Sequence, residues 1–315
     1  MINASCCVYL DPHLAAYNFG DRHPFGPQRH DVFARAFYRQ ELDKLTCILP
    51  AVKTDKASLS QFHTDDYIKR IIEQSNFGTG YLDRGDTPAF TGMYDVVLHI
   101  AGTVLDAVER LLNGQCKTAF VPIAGLHHAR RDEAAGFCVI NDCGIAIETL
   151  FNKYDLQRVA YVDIDAHHGD GVFYSFEDDP RLIFADMHED GHYLYPGTGN
   201  ITETGRGDAA GTKLNIPMPP GANDELFYKM WQHLETFVEK QQPEFIILQC
   251  GADSIKDDPI TDLSYSEKAH AHAARRLREI ADKHCDGRIL ALGGGGYKLD
   301  NIARAWTAVV EALAE

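Results

Sequence analysis

The chain has 315 residues, 45% hydrophobic and 24% charged, the make-up of a soluble globular protein long enough to bury a sizeable core. Its formal net charge of -16 repels phosphate backbones, which argues against nucleic acid and mildly favours cationic peptides or polyamines. No uncharged apolar run approaches the roughly 20 residues of a membrane span, and the eight cysteines contain no CxxC pair, so they read as buried reduced thiols.

The first residues, Met1 to Asp11, lack basic residues and a long apolar segment. They do not read as a signal peptide, and a cytoplasmic setting is expected. Ser5–Leu10 is the first β-type run. Thr91–Asn113 follows as a helix, with Met93, Val96, Val97, Ile100, Val104, Ala107, Val108, Leu111 and Leu112 at three- and four-residue spacing. Thr91 suits its N-cap and Gly114 its end. Thereafter come the strand Thr118–Ile123, the helix Asn141–Lys153, and the strands Arg158–Asp165, Arg181–Met187 and Lys213–Met218. The helix Asp224–Gln241, strand Phe245–Cys250, helix Ser266–His284, strand Arg288–Leu292 and helix Lys298–Leu313 complete the series.

Strands alternating with helices imply an α/β fold with a mainly parallel sheet covered on both faces. No linker, composition break or repeat divides residues 1–315, which read as a single domain. The Gly-rich polar stretches Gly78–Pro88 and Gly191–Gly211 read as surface loops around a site.

Ligands of parallel sheets bind beyond the carboxyl ends of the strands. Here those ends carry His127-His128, the run Asp163-Ile-Asp165-Ala-His167-His168-Gly-Asp170, then Asp253, and finally Gly293-Gly-Gly-Gly-Tyr297. Residues two apart on an extended strand share a face, so Asp163, Asp165 and His167 are expected to point together. Asp and His donors suit zinc, with Asp253 as a third ligand; ferrous iron fits the same donors. An isolated Asp-x-Asp at a strand end is more often a cap or turn. Such a density of acidic and histidine residues, joined by the other strand ends, is hard to read that way. His127 and His128 suggest acid–base work, each needing a carboxylate, for which Asp163 and Asp170 are available. The glycines before Tyr297 would let the backbone pass close to a ligand, or simply make a tight turn.

These residues resemble the zinc-dependent histone deacetylase family and its bacterial relatives, the acetylpolyamine amidohydrolases and acetoin-utilisation-type deacetylases. The matching stretches are Gly125-Leu-His-His-Ala, Glu133-Ala-Ala-Gly-Phe-Cys-Val-Ile-Asn-Asp142, Asp163 to Gly171, Tyr195-Pro-Gly-Thr-Gly199, Gln249-Cys-Gly-Ala-Asp-Ser254 and Leu292 to Tyr297. Weaker matches are His23 to Arg29 and Phe62-His-Thr-Asp-Asp-Tyr67. The resemblance implies the arginase–deacetylase fold, a single domain with an eight-stranded sheet between helices. It implies one zinc ion on Asp165, His167 and Asp253, with His127 paired to Asp163 and His128 to Asp170. Tyr297 is then the phenol that bonds the substrate carbonyl. Gly136, Phe137 and Tyr195 are tunnel-wall residues, Asp86 a rim residue that grips the substrate backbone, and Arg29 an arginine near an internal product channel. Potassium is implied as a structural ion near the Asp163–His167 strand.

Three positions depart from the pattern. Tyr195 replaces a phenylalanine and adds a hydroxyl to the tunnel. Ile260 stands at a variable specificity position and is not a polyamine-type glutamate. Asp186 replaces a serine at the monovalent-cation site, where a carboxylate changes cation affinity. The expected activity is hydrolysis of the acyl amide of N-acyl-lysine in proteins or peptides. An acetylpolyamine or other small-amide hydrolase, and a catalytically silent acyl-lysine binder, are the other readings.

Overall fold

The computed structural model describes residues 5–20 and 23–315; residues 1–4, on which part of the leader reading rests, lie outside that range. The strands are β1 (Cys6–Tyr9), β2 (Cys47–Leu49), β3 (Thr118–Val121), β4 (Val159–Asp163), β5 (Leu182–Glu189), β6 (Lys213–Met218), β7 (Phe245–Gln249) and β8 (Ile289–Leu292). They form one sheet in the order β2-β1-β3-β8-β7-β4-β5-β6, and every neighbouring pair is parallel. Among the described residues ten α-helices accompany it: α1 (Pro12–Ala15), α2 (Gln28–Arg39), α3 (Lys56–Leu59), α4 (Asp65–Phe77), α5 (Met93–Leu112), α6 (Asp142–Asn152), α7 (Asp170–Ser175), α8 (Asp224–Lys240), α9 (Glu267–His284) and α10 (Leu299–Ala314). Helices α2, α10, α9 and α8 pack in one series and α4, α5 and α6 in another, so that helices flank the sheet.

The strand interiors explain this covering. Every residue of β1, β3, β4, β5, β7 and β8 is buried, as a parallel sheet masked on both faces requires. The edge strand β2 is the one the sequence pattern does not reveal: its three residues are at best half-buried and too few to show a period. The five expected helices are present as α5, α6, α8, α9 and α10. At the start of α5 the cap is Gly92, in a left-handed conformation with φ 80, rather than Thr91. Helix α2 escapes the apolar pattern because it buries Arg29 and His30 beside Phe33 and Phe37.

The strand order positions the site. The chain passes from β3 to β4 and later fills the two places between them with β7 and β8. Val121, Leu292, Gln249 and Asp163 consequently lie side by side at the carboxyl ends of four adjacent strands. The segments that follow them carry the chemistry.

Candidate active site

Strand β4 stops at Asp163, so Asp165 and His167 lie beyond it and are not aligned by strand alternation. Side-chain turns place them instead. The Asp163 carboxylate accepts the Asp165 N–H at 3.0 Å, and the Asp165 carboxylate accepts the His167 N–H at 3.0 Å. The Asp253 carboxylate, on the turn after β7, accepts the Ala166 N–H at 3.1 Å. The candidate ligand atoms of Asp165, His167 and Asp253 all lie within 4.8 Å of one another, in buried surroundings. His167 Nδ1 is 3.1 Å from Asp165 Oδ1 and 3.2 Å from Asp253 Oδ2.

This donor set fits a divalent cation. Two carboxylates and one imidazole match zinc's taste for oxygen and nitrogen, and three protein ligands are typical of a catalytic site with one position open. The electrostatics agree. Burial and the nearby Asp165 push the Asp253 carboxyl up to about 7, the strain of two carboxylates in one dry place. Burial disfavours charge on His167, yet its bonds to Asp165 and Asp253 outweigh this and raise it to about 10. The backbone also leaves room: a side chain at Gly295 would collide with the Asp253 and Asp165 carboxylates.

The two histidines arrive on the loop after β3. Asp142 holds that loop by accepting the N–H groups of Gly125 and Leu126, each at 2.8 Å. His127 Nδ1 meets Asp163 Oδ2 at 2.8 Å, and His128 Nδ1 meets Asp170 Oδ1 at 2.7 Å. Their Nε2 atoms are 3.1 Å apart, within hydrogen-bond distance, so charging one ring opposes charging the other. The surroundings decide which ring is charged. At His127, burial is outweighed by Asp163 and Asp165, which raise it to about 9. At His128, burial and then the neighbouring His127 charge lower it to about 4, despite Asp170. The surroundings therefore favour the proton on His127 and disfavour a second one on His128.

Above these groups lies a cavity of about 300 Å³ lined by both histidines, Asp165, His167, Gly136, Phe137, Tyr195, Ile260, Asp86 and Tyr297. The Phe137 and Tyr297 rings meet edge-on with centroids 5.8 Å apart, and Tyr195 stands edge-on to His128 at 5.1 Å. Tyr195 and Ile260 are 43% and 38% exposed, and Asp86 is also exposed, which sets all three toward the mouth. Burial first, then Asp253, holds the Tyr297 phenol well above its ordinary range, so it stays protonated. The Asp258 carboxylate fixes Tyr297 through its N–H at 2.8 Å.

Five expected residues do not line this cavity: Asp163, Asp170 and Asp253 stand behind it, bonded to His127, His128 and His167, while Arg29 and Asp186 lie farther off. Arg29 is buried behind the glycine run, donating to the carbonyls of Gly296 at 2.9 Å and Gly294 at 2.5 Å. Asp186 has both oxygens engaged: Oδ1 with His188 Nδ1 at 2.7 Å, and Oδ2 accepting the Gly169 N–H at 2.9 Å.

Sequence reasoning misses the groups that orient the site. Gln249 donates to Asp165 Oδ2 at 2.8 Å and to the Gly125 carbonyl at 3.2 Å, joining the candidate metal ligands to the histidine loop. The Tyr161 hydroxyl donates to Asp163 at 2.6 Å. Asn141 donates to the carbonyls of His127 and Ala129, and its own N–H bonds His63 Nε2 at 2.9 Å. At the rim, Asp83 gathers the N–H groups of Gly85, Asp86 and Thr87, while the Thr87 hydroxyl accepts from the Phe137 N–H at 3.1 Å. Gln249 and Asp142 lie within quoted motifs, so their positions are visible; their partners across the sheet are not.

Comparison with known proteins agrees with this architecture. Residues 23–313 match the model of the histone deacetylase domain. The acetoin utilization protein AcuC of Bacillus subtilis (strain 168) is 35% identical over 314 residues, covering 95% of this chain and 79% of that protein. Histone deacetylase 19 of Arabidopsis thaliana is 34% identical, covering 97% and 61% of the two chains. Histone deacetylase clr6 of Schizosaccharomyces pombe is 33% identical, covering 95% and 74%. The crystal structure of the HDA15 HD domain superposes with a TM-score of 0.89 at 25% identity, covering 99% of this chain and 88% of that one.

Proposed function

The chain belongs to the histone deacetylase family and is a hydrolase of acyl amides, and on that premise we propose that it acts on N-acyl-lysine in proteins or peptides, with one zinc ion held by Asp165, His167 and Asp253. The observation that carries the reading is His128, held by Asp170 beside a buried cluster of three candidate metal ligands on the floor of an aromatic-walled cavity. The chain spans 61% of the Arabidopsis relative, so that protein's full activity is not carried over whole.

Zinc in such a donor set lowers the pKa of bound water toward about 7 and polarises a carbonyl. His128 takes a proton from the attacking water through Nε2. His127, cationic and held by Asp163, places positive charge beside the oxygen that becomes negative. One of the two rings then protonates the departing amine. Tyr297 donates a hydrogen bond from its phenol to the carbonyl oxygen. Phe137 and Tyr195 enclose the methylene stem of the lysine and exclude water, and Gly136 leaves the space for it. Asp86, at the mouth, accepts from the backbone of the substrate. Asp186 accepts one bond on each oxygen, from His188 and Gly169, and keeps a lone pair on each that a potassium ion nearby could use.

Among the described residues no helix is long and apolar enough to cross a membrane, and all eight cysteines are free. Reduced thiols fit the cytoplasmic setting that we include in this reading. Acetylated polyamines are the competing substrate class, and Ile260 gives the mouth an apolar side chain where a polycation would need a carboxylate. The test is a side-by-side assay of acetyl-lysine peptides and acetylspermidine, with metal content measured on the same preparation. Higher kcat/KM for the peptides with about one zinc per chain is expected. Preference for acetylspermidine would reassign the substrate.

A further inference from the structure

The chain reaches Tyr297 through four successive glycines, Gly293 to Gly296. Gly294 and Gly296 have φ values of 68 and 120, where glycine is at ease and other residues are not. Such a run has no side chains with which to hold its own path. The Tyr297 backbone therefore needs a tether from elsewhere in the molecule.

One carboxylate supplies it. Asp258 is only 6% exposed, and among the described residues it pairs with no lysine, arginine or histidine. Its Oδ2 accepts the N–H groups of Tyr297 at 2.8 Å and Lys298 at 3.3 Å, and its Oδ1 accepts the Ile260 N–H at 3.2 Å. A carboxylate taken out of water without a cation is costly, and main-chain N–H groups that bond an ionised acceptor offset that cost with bonds about twice as strong as neutral ones. The bond to Ile260 is local, an Asx turn across Pro259 that bends the loop. The bond to Tyr297 spans 39 residues of sequence. Asp258 thus joins the loop that brings Ile260 to the mouth with the turn between β8 and α10 that brings Tyr297 to the same cavity. The rest of that loop is fastened without Asp258. The Thr261 hydroxyl donates to the Asp253 carbonyl at 2.5 Å, and the Asp262 N–H to Glu189 at 2.8 Å.

We infer that Asp258 is a positioning residue that sets Tyr297 and Ile260 relative to each other, so that the phenol and the side chain at the mouth meet one substrate in register. The inference rests on the proposed role of Tyr297 as donor to the substrate carbonyl. Loss of Asp258 is felt in kcat through Tyr297 and in KM through Ile260.

The experiment is a double-mutant cycle on an acetyl-lysine peptide, with the parent, Asp258→Ala, Tyr297→Phe and the double variant, and with zinc content and melting temperature measured on each. Asp258→Ala is expected to lower kcat on the order of 10²-fold through a misplaced phenol, with bound zinc unchanged. In the Tyr297→Phe background it should cost almost nothing further. An equal fold-loss in both backgrounds would overturn the inference, because Asp258 would then act without the phenol. Parent-like turnover in Tyr297→Phe alone would instead strike the role of the phenol on which the inference rests. Asp258→Asn covers the case in which Asp258→Ala does not fold. Its side chain has one acceptor oxygen for two segments, so kcat and KM should part, one moving and the other holding. Parent values of both, or both moving together, would overturn the inference.

Discussion

The Gly136 α-carbon lies so close to the His128 imidazole that a methyl group there would overlap ring atoms Cδ2 and Cγ, and Tyr195 closes the third side at 3.0 Å. Gly136 also has a φ of 51, in the left-handed region. Gly136→Ala should therefore displace the His128 ring while leaving Asp165, His167 and Asp253 intact. A displacement of this kind costs on the order of 10²-fold in turnover. Zinc content measured beside kcat separates the two effects: turnover should fall and bound metal should not. Parent-like turnover would mean that His128 tolerates the shift and is not the base.

Gln249 gives a second prediction. Its amide donates to Asp165 Oδ2 and ties it to the Gly125 carbonyl. Partners that orient metal ligands are worth about 10- to 100-fold in metal affinity. Gln249→Ala should weaken zinc binding by that order, read by competition with a chelator at fixed pH. Unchanged affinity would show that the N–H groups of His167 and Gly295 hold Asp165 without the amide.

The Tyr297 phenol makes no hydrogen bond to another described residue, although its ring packs against Phe137. Removing only the hydroxyl should thus leave stability unaltered. Tyr297→Phe is expected to lower kcat by about 10²–10³ with an unchanged melting temperature and zinc content. Full activity in this variant would exclude the oxyanion role.

His63 makes stability depend on pH away from the metal ligands. Its Nε2 accepts the Asn141 N–H at 2.9 Å, so the bonded ring is neutral. Burial, only partly opposed by backbone carbonyls, lowers it from 6.5 to about 4. The unfolded chain then binds a proton that the folded chain refuses, so stability is intact above about pH 6.5 and declines as pH falls toward 4. The full effect is on the order of 3 kcal/mol. Urea titrations across this range should show the decline in the parent and a shallower one in His63→Gln. Identical slopes would assign the acid sensitivity to other groups.

Much of this molecule is legible in its residues. The strands with unbroken apolar runs are visible because a doubly covered parallel sheet demands them, and β2 is hidden because three half-buried residues carry no such demand. The candidate metal ligands and histidines are visible because they crowd the segments after β3, β4 and β7. The reason they converge is different from the one the pattern suggests: Asp163 and Asp165 each turn the chain through a carboxylate-to-N–H bond beyond the end of β4. Gln249 and His63 stand within recognisable stretches, but their roles, like that of Tyr161, stay hidden because they lie in partners that only the folded chain brings together. Asp83 and Thr87 are silent for another reason: they shape the loop under Asp86 and touch no chemistry themselves.

The insertion of β7 and β8 between β3 and β4 has a consequence for how the protein comes into being. A nascent chain that has left the ribosome only as far as β6 owns both histidines and two of the three candidate metal ligands, yet the middle of its sheet is missing. It has neither Asp253 nor the backbone that runs beneath the cavity. On the proposed ligand set, hydrolytic power would arrive only once β7 and β8 have been made, and a chain released before them would be inert rather than half-competent.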